Sequence, residues 1–236
     1  MTEHHKVVSR DEWIGARKQL LTKEKEFTRS RDQLCQQRRD LPWEAVSKEY
    51  VFEGPNGKQT LPDLFDGRSQ LVVYHFMFDP GWDAGCPHCS FWADNFNGIV
   101  VHLNHRDVTM IAVSRAPYSK LAAYEKRMGW NFKWVSSHDT SFNFDYHVSF
   151  TPEELARKEA FHNFTTQPPP GSEVVGISVF YKDETGKVFH TYSTYSRGVD
   201  MVNGAYHYLD LVPKGRDEAG QRNPQFWVRR HDEYGR

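Results

Sequence analysis

Apolar and polar positions change period along the chain, and each period predicts an element. The strongest strand signal is the run Leu71-Val72-Val73-Tyr74-His75-Phe76-Met77-Phe78, which predicts a central strand ended by Asp79-Pro80-Gly81. Ser90 through Phe96 is helix-like, Val108 through Val113 predicts another buried strand, and Tyr118 through Met128 predicts a helix that Gly129 can stop. This strand–helix–strand–helix order favours parallel pairing in a sheet. Trp130 through Val135 alternates less cleanly and predicts a short strand. The clearest hairpin joins Val174 through Tyr181 to Lys187 through Tyr192 by way of Asp183-Glu184-Thr185-Gly186.

Upstream, Ser9-Arg10-Asp11-Glu12 has capping-box spacing, and Trp13, Leu20, Phe27 and Leu34 then recur every seven residues along a long helix. Lys18, Lys23, Lys25 and Arg31 fall between them. The stripe therefore predicts an amphipathic arm packed on its own domain or on another subunit, with a homodimer as the sharper alternative. Tyr50 through Glu53, followed by Gly54-Pro55-Asn56-Gly57, predicts a short hairpin, and Leu61 through Gly67 a compact turn. Thr151-Pro152-Glu153-Glu154 opens a further helix, and Gln167 through Gly171 is a stiff connector. Past Arg197 the pattern loosens. Phe226 through Arg230 offers aromatics for packing and no catalytic signature.

At 236 residues the chain is long enough for a sizeable core, which favours one α/β domain with additions over two equal domains. Its 30 Lys and Arg nearly cancel 31 Asp and Glu, so no global attraction draws it to nucleic acid or an acidic membrane, and neither is expected as a partner. Pairs such as Arg38-Arg39 and Arg229-Arg230 read as solvated charged faces. No apolar run reaches transmembrane length and Met1 through His5 lacks the apolar stretch of a secretory signal, so a cytoplasmic location is the default expectation. With three cysteines, one of them Cys35 alone in a charged segment, the chain is not a disulfide scaffold.

The other two form Cys86-Pro87-His88-Cys89, between the central strand and the motif helix. Two cysteines at this spacing and place read as a redox dithiol. The first can sit where unpaired backbone N–H groups and the positive helix end favour a thiolate, the nucleophile in disulfide exchange; the second can close the disulfide. Cys86 is accordingly expected as the exposed attacking thiolate and Cys89 as the less accessible resolving thiol. Pro87 fits the first helical turn, where its missing N–H would have had no partner. His88 is a candidate for tuning the thiol pKa.

The dithiol between a strand and a helix, the second βα unit and the closing hairpin resemble a thioredoxin-like fold. The match is closer to a bacterial family of thioredoxin-like proteins carried only as a domain of unknown function. It rests on Phe76-Met77-Phe78, on Gly85 through Asp94, on Gly176-Ile177-Ser178-Val179-Phe180-Tyr181 and on Tyr206-His207-Tyr208-Leu209-Asp210-Leu211. The resemblance implies an α/β fold with a central mixed sheet. Residues 1–45 would be an N-terminal helical extension, 46–215 the thioredoxin-like domain with an insertion before the closing hairpin, and 216–236 a C-terminal tail. Thioredoxin-like enzymes commonly place a cis-proline before the strand of that hairpin. Here Val174-Val175-Gly176 precede Ile177, and Pro168 through Pro170 lie too early, a departure that leaves room for a smaller thiol or peroxide substrate.

The resulting expectation is a dithiol oxidoreductase with Cys86 and Cys89 as catalytic residues, Pro87 and His88 as motif residues, and Arg115 and Gly176 at the site edge. It would act on a protein or small-molecule thiol or disulfide and depend on a separate cellular reductant. The alternatives are a thiol peroxidase, in which Cys86 becomes a sulfenic acid, and a nonenzymatic binding or redox-sensing protein. A zinc site would need Cys86 and Cys89 to recruit His75, His102 or His105. The second ligand pair is missing as a motif, so no metal is expected. Neither a phosphate loop nor a dinucleotide glycine fingerprint occurs, and no cofactor is expected. Phe142, Phe144, Tyr146 and Phe150 suit core packing of the insertion better than a substrate cover.

Overall fold

The structure, a computed structural model, describes residues 5–235. Ser9 caps the first helix, α1 (Arg10–Arg39): its hydroxyl accepts from the Glu12 N–H at 3.3 Å, and the Glu12 carboxylate accepts from the Ser9 N–H at 3.0 Å. α1 lies in a compact unit of its own that ends at Pro42, and its stripe residues Trp13, Leu20, Phe27 and Leu34 are exposed.

The second unit, from Trp43 on, contains β1 (Glu44–Ala45), β2 (Val51–Gly54), β3 (Gly57–Thr60), β4 (Gln70–His75), α2 (Pro87–Ala93), α3 (Val100–His105), β5 (Val108–Ser114) and α4 (Tyr118–Met128). It continues with β6 (Lys133–Ser136), α5 (Phe142–Asp145), α6 (Pro152–Arg157), β7 (Ala160–His162), β8 (Thr165–Gln167), β9 (Gly176–Lys182), β10 (Val188–Tyr195) and α7 (Gly204–Leu209). Eight of the strands form one mixed sheet in the order β1-β10-β9-β4-β5-β6-β2-β3, and β7 pairs β8 separately. β4, β5 and β6 run parallel; β9 runs antiparallel to β4 and turns into β10. A βαβα run closed by an antiparallel hairpin, with the dithiol opening the first core helix, is the thioredoxin-like fold. The insertion holds α5, α6 and the β7–β8 hairpin.

Residue alternation sends the central strands' side chains into two apolar layers. Tyr74, Met110, Ala112, Trp134 and Ile177 face one layer with Cys86, Cys89, Trp92, Phe96, Leu121 and Tyr124. Leu71, Val73, Ile111, Val113, Val135 and Phe180 face the other with Phe52, Leu64, Phe65, Phe142 and Tyr146. Burial on both faces is what the near-continuous apolar spelling of β4 and β5 requires.

β4 stops at His75, short of the predicted Phe78, because its antiparallel neighbour begins at Gly176, the partner of His75. The three residues beyond stay attached to the β5 side: Phe76 N–H donates to Val113 O at 2.9 Å, and Ala116 N–H donates to Phe78 O at 2.8 Å. That release from β9 sets up the dithiol loop. Gly129 ends α4 at φ 64°, and Thr151 caps α6 with Glu154 completing the box, both as the sequence predicts.

Candidate active site: the Cys86–Cys89 dithiol

Pro87 starts α2 and leaves Cys86 as its N-cap, with φ −56° and ψ 129°. Met77 clamps the motif at both ends: its carbonyl accepts from Cys86 N–H at 3.1 Å and its N–H donates to Cys89 Sγ at 3.4 Å. The Cys86 carbonyl accepts from Ser90 N–H at 3.0 Å and from Ser90 Oγ at 2.9 Å. Ser90 Oγ lies 2.9 Å from Tyr124 Oη, so the second cysteine's helix turn is tied to α4.

Both cysteines are free thiols and both are buried, Cys86 at 7% exposure and Cys89 at 1%. Cys86 is therefore not the exposed thiol the sequence predicts. Its acidity nonetheless differs sharply from that of its partner. Hydrogen bonding from the Cys89 thiol, and then from the His88 imidazole and the Cys89 N–H, holds Cys86 well below the ordinary thiol range against the opposing effect of burial. Burial and the adjacent Cys86 sulfur hold Cys89 well above it. His88 is raised in turn, first by its hydrogen bond to Cys86, and it also bonds the Gln225 backbone. Within the pair, Cys86 is thus the thiol favoured to ionise and Cys89 the one favoured to keep its proton.

A cavity of about 360 Å³ opens beside the pair, with Tyr74, Met77, His88, Cys89, Trp92 and Val175 in its wall. Its remaining wall comes from the segment after β10 and from the C-terminal residues, including Tyr206, Arg216, Glu218 and Gln225. Arg216 lies 3.9 Å over the Tyr206 ring and is fixed by Asp210 and Asp200. Trp227 Nε1 donates to Glu218 at 2.7 Å while its ring meets Phe91 at 5.4 Å. Val228 is buried, and Arg230 donates to the Gly85 carbonyl and to Tyr124 Oη.

A family model described as a bacterial protein of unknown function (DUF899) matches residues 2–234. The chain belongs to this family. No curated protein matches it. Among solved structures the DUF899 chain is similar to the peroxidoxin BcpB from Mycobacterium tuberculosis, at 15% identity and TM-score 0.44 over 69% of this chain and 93% of that one. It is also similar to Xanthomonas campestris peroxiredoxin Q, at 15% identity and TM-score 0.47 over 70% and 96%. A Chlorobium tepidum protein assigned as the thiol:disulfide interchange protein DsbE matches at 14% identity and TM-score 0.43 over 71% and 94%.

In the DUF899 chain Cys86 and Pro87 begin α2, His88 and Cys89 reach the cavity wall, and the two edge candidates Arg115 and Gly176 lie outside that wall. Arg115 is occupied by Glu173 at 2.7 Å and by Asp79 at 3.7 Å. Gly176 is a packing position: a Cβ there would meet Tyr195 Cδ1 at 2.7 Å and Val148 Cγ1 at 3.1 Å. Its neighbour Val175 reaches the cavity instead. His75 points to the sheet face opposite Tyr74, where Nε2 lies 2.9 Å from Ser178 Oγ and the ring stacks with Tyr146, so it cannot join the cysteines around an ion. His102 and His105 sit on α3, and the described residues contain no cluster of three or more potential metal ligands.

The largest difference from the sequence reading is the C-terminal stretch, which is wall and not tail. Arg230 is a bonded part of the site and not a solvated charge. The aromatic Phe226-Trp227 beside Arg229-Arg230 was the available signal. Met77, Tyr74 and Tyr124 were legible only as core positions.

Proposed function

We propose that this DUF899 protein is a thiol–disulfide oxidoreductase working through Cys86 and Cys89. The Cys86 thiolate attacks a substrate disulfide; a Cys86–substrate bond forms, the substrate's S–S bond breaks, and one half leaves as a thiol. Cys89 then attacks the Cys86 sulfur, forming the internal disulfide and releasing the second half. The substrate, a protein or a small molecule, gains two electrons and the dithiol loses them. A separate cellular reductant restores the dithiol, and the proposal places this cycle in the cytoplasm, where thiols are kept reduced. What supports it best is the placement of two free thiols at the start of α2, with Cys86 as the N-cap and Cys89 Sγ accepting from the Met77 N–H, a setting that favours ionisation of the first and disfavours that of the second.

The deciding experiment is cysteine-resolved mass spectrometry of oxidised and substrate-treated protein. Oxidation should link Cys86 to Cys89, Cys86→Ser should abolish exchange, and Cys89→Ser should accumulate a mixed disulfide on Cys86. Equal exchange by all three forms would overturn the assignment. Rapid peroxide consumption without disulfide exchange would replace it with a thiol peroxidase, in which Cys89 resolves a Cys86 sulfenic acid.

A further inference from the structure

Tyr74 is fully buried near the end of β4, in the same apolar layer as both cysteines, and it shares the cavity wall with Cys89. Its ring is fixed by edge contacts to Phe96 at 5.1 Å and Phe76 at 6.3 Å. Among the described residues its hydroxyl makes no complete hydrogen bond. A buried hydroxyl without a partner costs on the order of 1–3 kcal/mol, so its retention here calls for a partner that forms at some stage. The polar group within its reach in that layer is the Cys89 thiol.

Cys89 lacks help when it must ionise. It is almost completely enclosed, burial holds its proton on, and its backbone donor is the Met77 N–H at a long 3.4 Å. The other donor within its reach is Tyr74. Burial and the cysteines raise the phenol well above its ordinary range, so the phenol keeps its proton and acts as a donor, never as a base.

We propose that the Tyr74 hydroxyl donates a hydrogen bond to the Cys89 sulfur as that sulfur becomes the attacking thiolate, making Tyr74 a positioning residue of the resolving step. The inference rests on the dithiol exchange proposed above. In that step the Cys89–Cys86 S–S bond forms and the Cys86–substrate bond breaks; the electron pair of the broken bond leaves on the substrate sulfur, which takes up the proton released by Cys89. Tyr74 retains its own proton throughout and supplies the second donor that Met77 alone does not.

Tyr74→Phe tests this with little change in packing, since the ring and its contacts remain. In full-length Cys86→Ser protein with ¹³C-labelled cysteine, the Cys89 Cβ shift followed against pH should move to higher pH by about half a unit or more when Tyr74→Phe is added, equivalent to at least a threefold loss of thiolate. An unchanged Cys89 titration with an unchanged melting temperature overturns the proposal. In the full dithiol protein, stopped-flow reaction with a chromogenic aromatic disulfide should show the first thiolate release at its normal rate and the second slowed at least threefold. Normal rates for both releases also overturn it. If wild-type protein releases no thiolate at all, exchange itself fails, while the titration still reads the Tyr74–Cys89 contact directly.

Discussion

Arg230 and Gly85 stand 145 residues apart in the chain and are joined by two hydrogen bonds, from Nη2 at 2.8 Å and Nε at 3.2 Å to one carbonyl oxygen. That carbonyl immediately precedes Cys86. The same guanidinium donates to Tyr124 Oη at 2.9 Å and meets Glu233 at 3.1 Å. One side chain thus fixes the approach to the dithiol, α4 and the C-terminal residues together.

Arg230→Met retains the stem and removes the donors. It should lower stability by about 1.5–3 kcal/mol, the range for losing hydrogen bonds that involve a charged group. Urea denaturation of reduced protein checks this. An unchanged midpoint would mean that the C-terminal wall is held by its aromatic and ion-pair contacts alone.

Cys86 and Cys89 should part company in a pH-dependent alkylation series. Because Cys86 is held below its ordinary range, its thiolate fraction rises as pH passes a depressed midpoint, and it should already be modified at pH values where a free thiol is inert. Cys89 should stay unmodified through neutral pH. His88→Ala removes one of the contacts holding the Cys86 thiolate and should move its midpoint upward, slowing alkylation at acidic pH by about threefold to tenfold. Identical profiles for the two cysteines would dismiss the asymmetry.

His75 gives the chain an acid liability. Burial first, and the nearby His190 second, depress the ring to about 3 from an ordinary 6.5. Below about pH 6.5 the unfolded chain therefore binds a proton that the folded chain refuses, so the stabilising difference is complete above 6.5 and is lost as pH falls toward 3. The full effect is on the order of 5 kcal/mol. His75→Gln, which can keep a bond to Ser178, should flatten the stability curve of denaturant melts between pH 6.5 and 3 whatever its effect at neutral pH. A wild-type slope in the variant would remove His75 from the account.

The apolar stripe of α1 has a separate test. Trp13, Leu20, Phe27 and Leu34 are exposed on α1, and burial of each large apolar side chain, against the chain's own domain or against a second copy, is worth about 1.5–3 kcal/mol; cover by a second copy predicts a change of mass. Light scattering should give twice the chain mass for the native protein and a single chain mass for the full-length Leu20→Glu, Phe27→Glu double variant. Equal masses would dissociate the stripe from self-association.

The sequence made legible whatever depends on neighbours in the chain. The Ser9 and Thr151 caps, the Gly129 stop and the strands β4, β5, β9 and β10 are written in local spacing, and the dithiol in four consecutive letters. The β7–β8 hairpin escaped because its turn residues Asn163 and Phe164 have φ 51° and 64°, a backbone normally announced by glycine at the second position. Arg115 lies in the otherwise uncharged run Val113 to Tyr118 and Arg230 in the charged run Arg229 to Glu233, yet neither setting tells which carboxylate or carbonyl each will meet. Only three-dimensional contact assigns Arg115 to Glu173 and Arg230 to the motif loop. Tyr74 escaped for a related reason: inside an apolar run a hydroxyl is a single atom, and its meaning depends on what lies opposite.

The cavity wall supplied by the C-terminal residues also has a consequence in time. A ribosome adding about 5–20 residues per second makes the motif well before Arg230, so Cys86 and Cys89 exist on the nascent chain for on the order of ten seconds without their finished surroundings. During that interval His88 lacks its Gln225 contact and Gly85 its guanidinium, and the two sulfurs meet whatever oxidants and thiols the translating cell contains. The surroundings of the dithiol therefore wait on residues 216–230, which supply the cavity wall and the guanidinium on Gly85.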